Sequence, residues 1–116
     1  FNPLQNAYVA SSGLAKWWIS PPEHINYFDF DSITNALGTN GLDVVELTST
    51  FPLELFLLMG DEYIGNDKIG KEIHQKRVNF ETNLSGSANE NLRRDLYKKF
   101  GELGLGREFV VFAKKN

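Results

Sequence analysis

The side chains best suited to chemistry are concentrated between residues 17 and 28. His24 and Asn26 are the polar members of this segment. Four aromatic side chains accompany them: Trp17, Trp18, Tyr27 and Phe28. Large flat side chains commonly wall small-molecule clefts, and Pro21 and Pro22 exclude a regular helix here. Two interpretations stay open: these residues line a pocket, or they pack as loop residues against a neighbouring lobe.

Other kinds of site are poorly supported by the sequence. The chain has no cysteine, which excludes disulfides and thiolate metal sites. His24 and His74 lie far apart in sequence, and neither has a second ligand at a suitable spacing, so no metal site is expected. No serine lies in a G-x-S-x-G elbow. The glycines of Gly104 to Gly106 follow a predicted helix and precede a predicted strand, which is the reverse of a phosphate-binding loop and indicates a helix exit.

Composition restricts the possible partners. The chain has 116 residues, of which 41% are hydrophobic and 23% charged, an ordinary globular balance. The formal net charge is −3 and the basic residues form separate pairs, so no nucleic-acid partner is expected. No apolar run approaches the ~20 residues of a membrane helix. The lack of cysteine is compatible with the reducing cytoplasm, the location we expect. The first residue, Phe1, favours a fragment or a processed product.

Capping and periodicity predict seven elements. The predicted helices run from Pro3 to about Gly13, from Asp31 to Asn40, from Leu53 to Met59, from Asp67 to about Leu84 and from Ser87 to Leu103. The predicted strands are Asp43 to Thr50 and Glu108 to Lys114. Two strands are too few for a standard α/β layer. We therefore expect an α+β arrangement, with helices packed beside an antiparallel strand pair and further strands supplied by a partner segment.

Finer patterns concern faces and ion pairs. Alternation puts Val45, Leu47 and Ser49 on one face of the first strand. Apolar residues at helical spacing form two stripes: Ile69, Ile73, Phe80 and Leu84, and Leu92, Leu96, Phe100 and Leu103. Pairs four residues apart are expected between Glu72 and Lys76, Glu90 and Arg94, and Asp95 and Lys99.

Three segments carry a family resemblance: "PEHINYFDFDSI", "GLDVVELTSTFPLELFLLMGDEYIGND" and "EFVVFAKK". In this order they resemble the C-terminal portion of class I S-adenosylmethionine-dependent methyltransferases, over nearly the whole chain from Asn2 to Lys114. The resemblance implies a single C-terminal lobe, residues 1–116, at the edge of a Rossmann-like α/β fold, with a helical insertion at about 52–104. The family's glycine-rich cofactor loop and its ribose-binding acidic residue are absent. An N-terminal segment of the parent chain would therefore bind the cofactor, and the fragment alone would be inactive.

The resemblance also implies roles for the 17–28 segment in methyl transfer to a small molecule. His24, with an unperturbed pKa near ~6.5, would be the base for a hydroxyl acceptor. Asn26 would orient the acceptor, and Trp17, Trp18, Tyr27 and Phe28 would wall its pocket. The acceptor, the atom methylated and the oligomeric state stay open. The alternative is an interaction or dimerisation module without catalytic activity, supported by the apolar helix at 53–59 and the spare strand edge. Either feature could find a partner, and the open strand edge predicts a homodimer or strand exchange.

Overall fold

The computed structural model describes residues 2–12, 26–86 and 90–116. In chain order the elements are α1 (Pro3–Ser12), α2 (Phe30–Thr39), β1 (Leu42–Ser49), α3 (Glu54–Leu58), α4 (Asp67–Gly86), α5 (Glu90–Glu102) and β2 (Phe109–Lys115). The two strands form one antiparallel sheet, and helices α3, α4 and α5 lie between them in the chain. The predicted α+β class and the antiparallel strand pair are confirmed.

The strand register corrects one prediction. Leu42 lies opposite Lys115 at one end and Ser49 lies opposite Phe109 at the other, but the register shifts between Val44 and Glu46. Val45 has no partner in the ladder and is 64% exposed. The prediction that Val45 continues the Leu47–Ser49 face is wrong, because a bulge of this kind interrupts strict alternation.

Local capping explains the helix starts. At α1, the Asn2 side chain accepts from the Gln5 amide at 2.9 Å and the Gln5 side chain accepts from the Asn2 amide at 2.9 Å. At α2, the Ser32 amide donates to the Asp29 carboxylate at 2.7 Å and the Asp29 amide donates to the Ser32 hydroxyl at 2.9 Å. Each pair forms a capping box, which satisfies two backbone donors at once. Gly41, with φ of 75°, follows α2 as predicted.

The core gathers aromatic and aliphatic residues around α3. Its buried members are Tyr8, Phe51, Phe56, Leu57, Tyr63, Ile73 and Tyr97. Leu96 and Phe100 of α5 pack partly against this core. Leu92 and Leu103 do not, since both are largely exposed. The predicted stripe of α5 is therefore wrong at both ends.

The ion pairs differ from those predicted by local spacing. Lys76 binds Asp61 at 3.0 Å instead of Glu72, and Lys99 binds Glu102 at 2.8 Å instead of Asp95. Asp61 precedes α4 in the chain, whereas Glu102 lies three residues after Lys99 in the same helix.

Two basic residues of α5 form ion pairs with β1. Glu46 accepts from Arg94 and from Lys98, each at 3.3 Å. The hydrogen bond from Lys98, assisted by the neighbouring positive charges, lowers the pKa of Glu46. α5 therefore lies against β1 through charges as well as through packing.

Strand β2 is the least covered element of the sheet. α2 and α5 both pack against β1, and within the described residues β2 pairs with β1 alone. Val110 is 46% exposed and Phe112 is 56% exposed. In the part of the chain described, no helix is both long and apolar enough to cross a membrane.

Candidate functional site

The structure describes three of the six residues that the sequence predicts to form the acceptor site. Trp17, Trp18 and His24 lie outside the described residues. Asn26, Tyr27 and Phe28 lie outside any helix or strand immediately before the Asp29 cap of α2, and all three are exposed. The acceptor pocket stays a prediction, because its other three members lie outside the described residues.

A cleft of about 450 Å³ lies elsewhere, between the β1–α3 connection, α4 and the α5–β2 turn. It is lined by Thr50, Phe51, Leu53, Tyr63, Gly70, Ile73, His74, Arg77, Arg107 and Glu108. An adjoining hollow of about 540 Å³ extends toward the start of α4 and shares Tyr63, Gly70 and His74 with the cleft. Volumes of this size are typical of small-molecule sites.

Helix α4 supplies one wall of the cleft. Gly70, Ile73, His74 and Arg77 recur at i, i+3, i+4 and i+7, which puts them on one face of the helix. Ile73 is buried in the core, whereas His74 is exposed toward solvent. A Cβ at Gly70 would meet no heavy atom within 4 Å. Gly70 therefore leaves an open space above the helix between the two hollows.

Hydrogen bonds and an ion pair connect the charged side chains of this wall. Arg77 lies 3.2 Å from Nδ1 of His74 and 3.6 Å from the Glu81 carboxylate. Glu81 also accepts from the Tyr97 hydroxyl at 2.8 Å, and burial raises the pKa of Tyr97, which keeps that hydroxyl a donor. Because a guanidinium only donates, Nδ1 of His74 is the acceptor and the ring N–H lies at Nε2.

The α5–β2 turn supplies the opposite wall. The Thr50 hydroxyl accepts from the Glu108 amide at 2.9 Å, and the Thr50 amide donates to the Glu108 carbonyl at 3.0 Å. The buried Ser49 hydroxyl donates to the carbonyls of Leu105 and Glu108. These contacts hold the backbone on both sides of Arg107, whose side chain is exposed at the mouth of the cleft.

The second polar feature of the interior is Glu54 in α3, which is fully buried. Its Oε1 accepts from the Gln5 side chain at 3.3 Å, and Oε2 has no hydrogen-bond partner within the described segments. The Gln5 contact joins α1 to α3, and Glu54 does not line the cleft.

The lining of the cleft offers two guanidinium groups and an imidazole N–H as hydrogen-bond donors. Within residues 2–12, 26–86 and 90–116, no group of three or more His, Asp or Glu side chains could hold a metal ion.

Sequence reasoning missed this site, although part of its signal was present. A glycine inside a helical pattern is less favourable than alanine, and His74 and Arg77 follow Gly70 at helical spacing. The contribution of Arg107 from the distant turn had no local signal. Comparisons with protein-family models, curated proteins and solved structures found no match to this chain.

Proposed function

We propose that the chain is the C-terminal, acceptor-binding part of an S-adenosylmethionine-dependent methyltransferase that acts on a small molecule. The proposal assigns the cofactor site to an N-terminal segment of a parent chain. Its first support is the element order, since α2, β1, a helical segment and an antiparallel β2 follow one another as the resemblance to that family implies.

The observation that carries the proposal is the character of β2. Its residues from Phe109 to Ala113 are apolar without interruption, and strands that are buried on both faces have this composition. In the described residues, however, Val110 and Phe112 are about half exposed and one edge of β2 is unpaired. A strand of this kind fits the interior of a larger sheet, with another strand along its free edge and helices over its exposed face.

The proposed chemistry is methyl transfer to an acceptor held beside the 17–28 segment. S-adenosylmethionine supplies an activated methyl group, and the protein has to align the acceptor and exclude water. We assign the base to His24 and acceptor orientation to Asn26. The four aromatic side chains of the segment, Trp17, Trp18, Tyr27 and Phe28, would wall the pocket. A cytoplasmic location is part of the same proposal.

The second candidate is an interaction or dimerisation module. The specific observation in its favour is the apolar surface, because Leu58 and Met59 at the end of α3 are exposed in addition to the face of β2. Large exposed apolar patches often mark interaction sites. A dimerisation module would bury this surface in a homodimer and would show no methyl transfer in any context.

Turnover of the parent protein tests the proposal. Formation of S-adenosylhomocysteine would be measured with a panel of small hydroxyl and amine acceptors. Replacing His24 with alanine should lower turnover by ~10²-fold or more, with cofactor affinity nearly unchanged. Thr34→Ala, on the exposed side of α2, is the control and should leave turnover unchanged.

Melting temperatures separate catalysis from folding in this experiment. If His24 only packs or caps, His24→Ala lowers the melting temperature while turnover per folded molecule stays near normal. A parent protein that methylates none of the acceptors and forms a stable homodimer through this lobe would favour the module instead.

A further inference from the structure

We infer that the cleft above Gly70 binds a small monocarboxylate with a compact apolar body. The inference stands apart from methyl transfer, because it concerns a site formed entirely by the described part of this chain. It is carried by the polarity of the cleft, by its buried apolar wall and by the space kept open at Gly70.

The polar groups of the cleft favour a ligand that accepts hydrogen bonds. Arg77 and Arg107 can only donate, and His74 offers its Nε2–H because Nδ1 is occupied by Arg77. Thr50 is already engaged with the backbone of Glu108. A ligand that displaces water here must accept hydrogen bonds, and an anion does so more strongly than a neutral group.

The cations of the lining favour an anionic ligand. Arg77 is already paired with Glu81 at 3.6 Å, whereas Arg107 forms no ion pair with any described residue. Arg107 therefore has a positive charge at the cleft that is not neutralised within the described residues, in a chain whose formal net charge is −3. A planar carboxylate suits its guanidinium fork and neutralises this charge.

The apolar wall selects the rest of the ligand. Phe51, Tyr63 and Ile73 belong to the buried core and also line the cleft, together with Leu53. A cleft of about 450 Å³ lies in the range that holds a small organic ligand. A single ring or a short alkyl chain would cover this wall, with its carboxylate directed to the arginines at the mouth.

Gly70 is the residue that keeps the cleft open. Glycine inside a helix is less stable than alanine, and the position has room for a methyl group because no atom lies within 4 Å. Backbone geometry and packing therefore do not demand glycine here. A longer side chain at position 70 would extend into the space between the two hollows, so glycine leaves that space open to a ligand.

The test is an amide-detected NMR titration of the 116-residue chain with 3-phenylpropionate. A ligand of this size should bind with a Kd of about 1–10 mM, with saturable shifts at His74, Arg77 and Arg107. The uncharged 3-phenylpropanamide should bind at least about fivefold more weakly, because it loses the charge-assisted hydrogen bonds. Inorganic phosphate, which lacks the apolar body, should also bind more weakly than 3-phenylpropionate.

Variants locate the site. Arg107→Gln should weaken 3-phenylpropionate by about fivefold, whereas Lys115→Gln, the same charge change at the far end of β2, should leave the Kd within about twofold. Gly70→Leu should abolish the shifts, and Gly70→Ala should retain them, with melting temperatures recorded for both. The inference is overturned if the amide or phosphate binds as tightly as 3-phenylpropionate, or if Arg107→Gln and Lys115→Gln behave alike. Absence of saturable shifts up to about 20 mM overturns it as well.

Discussion

Replacing Gly106 with alanine should destabilise the chain by about 3–4 kcal/mol, because this residue packs directly against Ser49 at the turn that carries Arg107. Gly106 has φ of 111°, a region that costs a residue with a Cβ about 1–2 kcal/mol. The added Cβ would overlap the Ser49 hydroxyl and lie 2.7 Å from the Thr50 carbonyl oxygen. Displacing that hydroxyl from its carbonyl partners adds about 1 kcal/mol, and overpacking adds a similar amount.

Gly104→Ala is the matched control for backbone strain. Gly104 lies in the same turn with φ of 71°, but its Cβ position has no neighbour within 4 Å. Alanine there should cost about 1 kcal/mol, which is the conformational part alone. The difference between the two variants isolates the contact with Ser49.

Urea unfolding followed by far-ultraviolet circular dichroism measures both free energies. Ser49→Ala removes the overlapping oxygen, so the double variant Ser49→Ala with Gly106→Ala should be less destabilised than the sum of the two single variants by about 1 kcal/mol. Equal costs for Gly104→Ala and Gly106→Ala, or full additivity with Ser49→Ala, would refute the packing of this turn on β1.

Three further outcomes are expected. Gly70→Ala should raise the free energy of unfolding by about 0.5–1 kcal/mol in urea denaturation, since the helix gains a better residue and no atom is displaced; a loss would mean that the cleft is narrower than described. Hydrogen bonding to Lys98 lowers the pKa of Glu46 from its usual 4.5, so its contribution to stability is present above that value and is lost as the pH falls through the lower folded-state pKa. The melting temperature of Glu46→Gln should therefore fall less on acidification than that of the unchanged chain, and parallel curves would contradict the ion pairs. Light scattering should show a dimer for the chain and a monomer for Phe112→Lys, because the lysine blocks the exposed face and edge of β2; a monomeric unchanged chain at high concentration would count against this.

Local signals predicted most of the elements. The Asn2–Pro3 start, the Asn40–Gly41 end and the glycines after α5 each satisfy backbone requirements within a few residues, so they can be read from neighbouring residues alone. The strand pair was also predicted, because both segments are rich in β-forming residues and no other segment of the sequence predicts a strand.

Features that depend on distant residues were not predicted. The bulge at Val45 arises from the register with β2, which no local pattern specifies. Lys76 binds Asp61 from the preceding loop, although Glu72 has the favourable spacing within the helix. The cleft combines Thr50, Gly70 and Arg107 from three separate segments, and their approach depends on packing around α3 rather than on any spacing in the sequence.

Calorimetric titration of S-adenosylmethionine into two proteins tests the proposed function most directly. One sample is the parent protein with its N-terminal segment, and the other is this 116-residue chain. The proposal predicts saturable binding to the parent and no measurable binding to the chain, because the described residues contain no strand–glycine–helix loop for the cofactor. Saturable binding to the chain alone, or no binding to the parent, would contradict it.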